Sequence, residues 1–149
     1  MATTLSERGA AVQLLAMDVD GVLTDGSLYF AASGDELKAF SILDGQGLRL
    51  LQKQGIITAF ITGRCSPLTE SRARNLDIDY LIQGRTDKLT ALRELAERTS
   101  IPVEAMAYVG DDLPDLAAIE TAGVSISVPN GCAAVRASAH WCTTTPGGQ

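Results

Sequence analysis

The chain has 149 residues, of which 46% are hydrophobic and 20% charged, a composition typical of one ordinary globular domain. A formal net charge of −6 argues against binding to a phosphate backbone, and every apolar run falls far short of the roughly 20 residues that span a bilayer. The N-terminus lacks the pattern of a secretory signal, and three cysteines without a C-x-x-C pair favour a reducing cytoplasm. We therefore expect one cytoplasmic domain over residues 1–149, flexible over residues 1–11, with no nucleic-acid or membrane partner.

Strand and helix patterns alternate along the chain. Strands are predicted over residues 12–19, 56–61, 80–82, 106–109 and 124–128, with a small β-hairpin of residues 27–30 and 36–41 after the first. Helices are predicted over residues 45–54, 67–76, 88–99 and 113–122. Repeated strand–helix units of this kind predict a doubly wound parallel α/β sheet, Rossmann-like, with helices on both faces.

Polar side chains follow three of the predicted strands at the points where the strands end. Because ligands of doubly wound sheets bind beyond the carboxyl ends of the strands, we expect these groups to meet there. Crowded carboxylates repel one another unless a cation lies among them, and oxygen ligands of this kind suit Mg²⁺ that carries a substrate phosphate. The candidate residues are Asp18, Asp20, Thr62, Lys88, Asp111, Asp112 and Asp115.

The spacing of Asp18 and Asp20 indicates a division of labour between two carboxylates. Residues i and i+2 of a strand point the same way, so both side chains can face one bound group. One is placed to attack phosphorus while the other handles the proton of the leaving group. An aspartyl-phosphate intermediate would divide one hard hydrolysis into two easier displacements.

Four motifs, in the order DVDGVLTD, ITGR, TDKL and GDDLPD, resemble those of the haloacid dehalogenase superfamily of phosphatases. The resemblance covers about residues 12–149. It implies that Asp18 is the nucleophile and a metal ligand, and that Asp20 is the general acid/base and lends its backbone carbonyl to Mg²⁺. The other implied roles are metal ligand for Asp111, support of the metal site for Asp112 and Asp115, and phosphoryl binding for Thr62 and Lys88.

Longer segments resemble one branch of that superfamily, the phosphatases of 3-deoxy-D-manno-octulosonate 8-phosphate (KDO 8-phosphate) in lipopolysaccharide synthesis. These segments are DVDGVLTDGSLYF, GDELKAFSILDGQGLRLL and TPGG. Predicted elements fill the gaps between the motifs and leave no room for a cap domain. Members of the branch are homotetramers in which neighbours close each active site. The implied substrate contacts are Asp20, Ser41, Ile42, Leu43, Asp44, Gly45, Arg49, Arg64, Arg72 and Lys88.

The resemblance leaves alternatives open. Related phosphatases of nine-carbon, sialic-type sugar acid 9-phosphates often carry an acidic residue after the Thr-Gly pair, where this chain has Arg64. A non-catalytic oligomerisation module is a remoter alternative, which the intact acidic motifs disfavour. Many relatives have arginine where this chain has Leu43, and they continue after the glycine pair into a tail that enters a neighbour's site, whereas this sequence ends at Gln149.

Overall fold

A computed structural model describes residues 2–149, which form a six-stranded parallel sheet and a separate two-stranded hairpin. The strands of the sheet are β1 (Leu14–Met17), β4 (Ile57–Ile61), β5 (Tyr80–Ile82), β6 (Met106–Val109), β7 (Val124–Ser127) and β8 (Trp141–Cys142). The hairpin consists of β2 (Tyr29–Phe30) and β3 (Glu36–Leu37). The helices are α1 (Leu5–Ala10), α2 (Ile42–Lys53), α3 (Pro67–Asn75), α4 (Lys88–Thr99), α5 (Leu116–Thr121) and α6 (Ala133–Ser138).

The strand order is β5-β4-β1-β6-β7-β8, so β1 lies between β4 and β6. At the carboxyl end of β1, Met17 lies level with Phe60 of β4 and with Val109 of β6. The loops that follow these three strands therefore leave the sheet side by side at one edge. This edge is where the sequence predicts the functional groups to meet.

Two apolar cores confirm that helices cover both faces of the sheet. On one face, Leu92 and Leu95 of α4 pack with Ile119 of α5 and Val135 of α6. On the other face, Leu48 of α2 packs with residues of α3 and the sheet. Each core is built of fully or nearly fully buried side chains, so apolar burial holds the strand ends in a fixed frame.

Several element boundaries differ from the sequence prediction. The second helix begins at Ile42 rather than at residue 45, because the side chain of Ser41 accepts a hydrogen bond from the Leu43 N–H and caps it. The hairpin strands are only two residues long each. The predicted helix over residues 113–122 is a 3₁₀ turn at Leu113–Asp115 followed by the shorter α5.

Two α-helices and one strand were not predicted. The α1 helix lies within residues 1–11 and has a capping box of Thr4 and Glu7, although it buries none of its residues. The α6 helix and the two-residue β8, which pairs with β7, are too short for a periodic pattern. Within residues 2–149, no helix combines the length and the apolar character needed to cross a membrane.

Candidate active site

Three carboxylates converge at the carboxyl edge of the sheet. Asp18 follows β1, and Asp111 and Asp115 lie in the loop and 3₁₀ turn after β6. One oxygen of each carboxylate lies within 4.8 Å of the others. The predicted meeting of the first and last motifs is therefore present in the fold.

Lys88 supplies a buried positive charge beneath this acidic cluster. Its side chain is 2% exposed, and its ammonium lies 3.2 Å from Oδ1 of Asp18 and 2.9 Å from Oδ1 of Asp115. It also donates a hydrogen bond to the Ile61 carbonyl at the end of β4. The first residue of α4 thus connects two strand-end loops through charge-assisted bonds.

Asp115 is fully buried and fully hydrogen-bonded. Its Oδ2 accepts from the backbone N–H groups of Asp111 and Asp112, and its Oδ1 accepts from Lys88 and from the hydroxyl of Tyr108. Burial, followed by the nearby carboxylates, raises the pKa of Tyr108 well above its usual value, so this hydroxyl remains a donor. Asp115 therefore fixes the loop that carries Asp111. Sequence reasoning missed Tyr108, because it lies within an apolar strand pattern that predicts only a buried side chain.

Burial and mutual repulsion shape the electrostatics of the other two carboxylates. Burial and the Asp115 charge raise the pKa of Asp18 to about 6, although Lys88 acts in the opposite direction. Burial, followed by the charges of Asp18 and Asp115, raises the pKa of Asp111 to about 8. The Lys88 ammonium therefore does not fully offset the burial of Asp18, and no cation is among the groups that shift the pKa of Asp111.

The donor set fits a divalent cation. Oδ1 of Asp111 is buried without a hydrogen-bond partner in the described part of the chain. A side chain at Gly21 would place its Cβ 1.9 Å from Oδ2 of Asp111, so only glycine, here at φ +89°, leaves this carboxylate room. An orphaned oxygen among hard carboxylate ligands is the environment that Mg²⁺ prefers.

These groups open into a cavity of about 320 Å³. Thr62 is buried at its wall, where its hydroxyl accepts from the Arg64 N–H. Asp112 lies at the rim and caps the 3₁₀ turn through the Leu113 N–H. The predicted site residues that line the cavity are Asp18, Asp20, Thr62, Arg64, Lys88, Asp111, Asp112 and Asp115.

Asp20 has a partner that sequence reasoning did not identify. Its carboxylate contacts the ammonium of Lys38, which directly follows β3, and Lys38 in turn lies 3.4 Å from Oε1 of Glu36. Glu36 accepts from Arg64 with both carboxylate oxygens, at 2.9 and 3.0 Å. No local pattern signals this contact, because it depends on how the hairpin folds back over the sheet edge.

The other predicted substrate contacts lie elsewhere in this chain. Arg49 and Arg72 line a second cavity of about 370 Å³ together with Ile42 and Gly45. Arg72 donates to the Ser41 carbonyl and lies over the Phe40 ring, at 5.5 Å from its centroid.

A third cavity, of about 480 Å³, is lined by Leu43 and Asp44 on α2 and by the C-terminal segment of residues 143–149. Burial raises the pKa of Asp44, although Arg72 opposes the shift. The cavity that holds the carboxylates is therefore not lined by any of these predicted substrate contacts from the same chain, which are residues 41–45, Arg49 and Arg72.

The C-terminal segment is bound to the loop after Asp20. Asn130 donates to the Gly21 carbonyl and accepts from the Gly147 N–H, while Gly148 donates to the Val22 carbonyl. A Cβ at Gly147 would lie 2.0 Å from the Gly21 carbonyl oxygen. The glycine pair of the TPGG segment is therefore explained by close backbone contact, and we call residues 145–148 the C-terminal strap.

Fold and site together define a hydrolase class. Residues 68–146 match the family of haloacid dehalogenase-like hydrolases. Over 149 residues the chain is 41% identical to the 3-deoxy-D-manno-octulosonate 8-phosphate phosphatase of Yersinia pestis, covering 100% of this chain and 80% of that protein. The chain belongs to the haloacid dehalogenase-like hydrolase family.

Among solved structures, phosphatases of 3-deoxy-D-manno-octulosonate 8-phosphate are similar to this chain in both fold and sequence. The 3-deoxy-D-manno-octulosonate 8-phosphate phosphatase of Moraxella catarrhalis, in complex with magnesium, phosphate and KDO, superimposes with a TM-score of 0.95 and 48% identity over 97% of this chain and 83% of that one. The cobalt-bound phosphatase of Haemophilus influenzae gives 0.91 and 34% over 95% and 83%. The resemblance predicted from the motifs is confirmed.

Proposed function

We propose that the chain is an Mg²⁺-dependent phosphomonoesterase that hydrolyses KDO 8-phosphate to KDO and inorganic phosphate in lipopolysaccharide biosynthesis. The observation that carries this proposal is the cluster of Asp18, Asp111 and Asp115 over the buried ammonium of Lys88, with one orphaned oxygen on Asp111. The KDO and phosphate bound to the relative from Moraxella catarrhalis support the choice of substrate.

The phosphoryl group is bound by donors at the edge of the sheet. Lys88 lies beside Asp18 and can share its charge with an incoming phosphate, and the Thr62 hydroxyl lines the same cavity. Because both residues are almost fully buried, they are held in place before substrate binds. Such preorganised donors stabilise the charge that spreads over the equatorial oxygens during transfer.

Asp18 attacks phosphorus and Asp20 serves proton transfer. Asp18 is oriented by the Val19 N–H and by Lys88, and both carboxylates line the cavity. Attack by Asp18 forms its O–P bond as the sugar oxygen leaves with a proton from Asp20. Asp20 then removes a proton from water as that water displaces Asp18 from phosphorus, so the two steps return both groups to their starting states.

The residues that would hold Mg²⁺ are Asp18, the backbone carbonyl of Asp20, and Asp111. Asp112 and Asp115 support this set, the latter through the two N–H groups that it fixes in the Asp111 loop. When bound, the ion would supply further positive charge beside the carboxylates and the phosphoryl group, and it would act as a Lewis acid on phosphoryl oxygen.

A homotetramer accounts for the separation of the predicted substrate contacts. A separate cavity is lined by Arg49, Arg72 and the start of α2. These groups serve catalysis if each subunit places them beside the carboxylates of a neighbouring subunit. The hairpin offers exposed apolar side chains for such contacts, because Tyr29, Phe30 and Leu37 are 44%, 61% and 57% exposed. Guanidinium groups from the neighbouring subunit can bind the carboxylate of the sugar acid substrate through paired hydrogen bonds.

We place the enzyme in the cytoplasm as a single domain over residues 1–149. All three cysteines, Cys65, Cys132 and Cys142, are free thiols, which suits a reducing compartment. A soluble sugar acid phosphate is the expected partner.

The test is release of inorganic phosphate in the presence of Mg²⁺ across matched esters. The panel contains KDO 8-phosphate, a nine-carbon sugar acid 9-phosphate, hexose phosphates and p-nitrophenyl phosphate, with Asp18→Asn as the blank. A strong preference for KDO 8-phosphate is the expected result. Preference for the nine-carbon ester would replace the proposed substrate, and a chain inactive on every ester would favour the non-catalytic oligomerisation module.

A further inference from the structure

The contacts around Asp20 point to a residue outside the family motifs. Asp18 and Asp115 are each oriented by more than one donor, including backbone N–H groups. The Asp20 carboxylate, by contrast, has Lys38 as its one polar partner among residues 2–149. The orientation of Asp20 therefore depends on a lysine from the hairpin.

Lys38 is itself held in place. Its side chain is only 4% exposed, which is rare for lysine and requires compensating charges. These come from Asp20 and Glu36, and Glu36 is held by two bonds to Arg64. The four residues alternate in charge and connect the loop after β1 with the loop after β4 by way of the hairpin.

We propose that Lys38 is a positioning residue that holds the Asp20 carboxylate in the orientation required for proton transfer, and that Glu36 and Arg64 hold Lys38. The inference rests on the proposed function, because it assigns a role within that reaction. Lys38 acts through Asp20, so its loss harms both phosphorylation and dephosphorylation of Asp18.

A double-mutant cycle of Lys38→Met and Asp20→Asn tests this role. Misplacing a catalytic group by about 1 Å costs about 10²-fold in rate, so Lys38→Met should lower kcat on KDO 8-phosphate to that extent with little change in KM. In the Asp20→Asn background the same substitution should cost almost nothing further, because the group that it positions is already gone. Lys53→Met, on the exposed last turn of α2, is the matched control and should retain parental kcat.

A second readout separates positioning from general damage. With p-nitrophenyl phosphate the leaving group needs little protonation, so Lys38→Met should release a rapid burst of p-nitrophenol before slow turnover. Glu36→Gln keeps the size of the side chain and should give a smaller loss of kcat than Lys38→Met. If thermal melting shows that the Lys38→Met protein is unfolded, Glu36→Gln takes its place in the cycle.

Equal losses in both backgrounds, or unchanged kcat in Lys38→Met and Glu36→Gln, would overturn the proposal. If the parent chain hydrolyses p-nitrophenyl phosphate but not KDO 8-phosphate, the substrate assignment fails and the cycle is measured on the aryl ester. A parent chain inactive on both esters would overturn the proposed function and this inference together.

Discussion

The ammonium of Lys88 and the carboxylate of Asp115 form a buried ion pair, with Nζ 2.9 Å from Oδ1 and both side chains at most 2% exposed. The pair joins the start of α4 to the 3₁₀ turn after β6, and the same ammonium reaches Asp18 at 3.2 Å. One lysine thus links the proposed nucleophile to the residue that fixes the Asp111 loop.

Replacing Lys88 by methionine should reduce both stability and activity. The change leaves Asp115 and Asp18 as buried negative charges without their cation, which typically costs about 3–5 kcal/mol. Urea denaturation and phosphate release measure the two effects. Lys53→Met is the control, since exposed lysines usually change stability by less than about 0.5 kcal/mol. An unchanged unfolding midpoint in Lys88→Met would contradict the role assigned to this pair.

Metal should stabilise the protein more strongly at high pH. The pKa values of Asp18 and Asp111 are raised to about 6 and about 8, above their unfolded values, so the folded chain binds protons that the unfolded chain releases. Stability of the metal-free protein therefore falls as pH rises from about 4 through 8, and Mg²⁺ removes this loss.

The corresponding measurement is Tm with Mg²⁺ and with EDTA at about pH 5 and about pH 8.5. We expect the difference in Tm to be larger at the higher pH and activity to disappear in EDTA. Asp111→Asn, which removes one of the titrating ligands, should flatten the pH dependence of the metal-free Tm. Equal stabilisation at both pH values, or hydrolysis that persists in EDTA, would contradict the metal site.

The C-terminal strap should be intolerant of side chains at Gly147. Its Cβ would lie 2.0 Å from the Gly21 carbonyl oxygen, so Gly147→Ala must displace the loop that follows Asp20. Overpacking of this kind costs about 1–3 kcal/mol, and we also expect kcat to fall because Gly21 borders Asp111. Gly9→Ala is the control, since nothing lies within 4 Å of its added Cβ. Parental kcat and stability in Gly147→Ala would show that the strap does not constrain this loop.

The hairpin should hold the proposed tetramer together. Phe30 is 61% exposed in the single chain, so Phe30→Asp places a charge in the expected subunit contact. Sedimentation velocity should show a tetramer for the parent chain and smaller species for the variant, which should also lose activity on the sugar ester. Leu5→Asp on α1 places the same charge at another exposed apolar residue, 42% exposed, and should leave the assembly intact. A monomeric parent chain with full sugar selectivity would exclude neighbour-supplied contacts.

The sequence predicted the fold class, and it placed Asp18, Thr62 and Asp111 at one edge, because parallel strands bring their carboxyl ends together. Tyr108 and Lys38 escaped prediction for a different reason. Their roles arise from tertiary contacts of a buried strand and of a hairpin, which local periodicity does not record. The short β8 and α6 lack a pattern long enough to detect, and the early start of α2 depends on the side-chain cap at Ser41.

The most direct measurement is capture of the phosphoryl group on Asp18. Asp20→Asn is mixed with p-nitrophenyl phosphate and Mg²⁺, quenched in acid, digested and analysed by mass spectrometry. We expect one added phosphoryl group on the peptide containing Asp18, formed at the rate of the p-nitrophenol burst. When the Asp18→Asn substitution is combined with Asp20→Asn, we expect neither modification nor turnover. An unmodified peptide during turnover, or an Asp18→Asn variant that hydrolyses the ester at the parental rate, would contradict it.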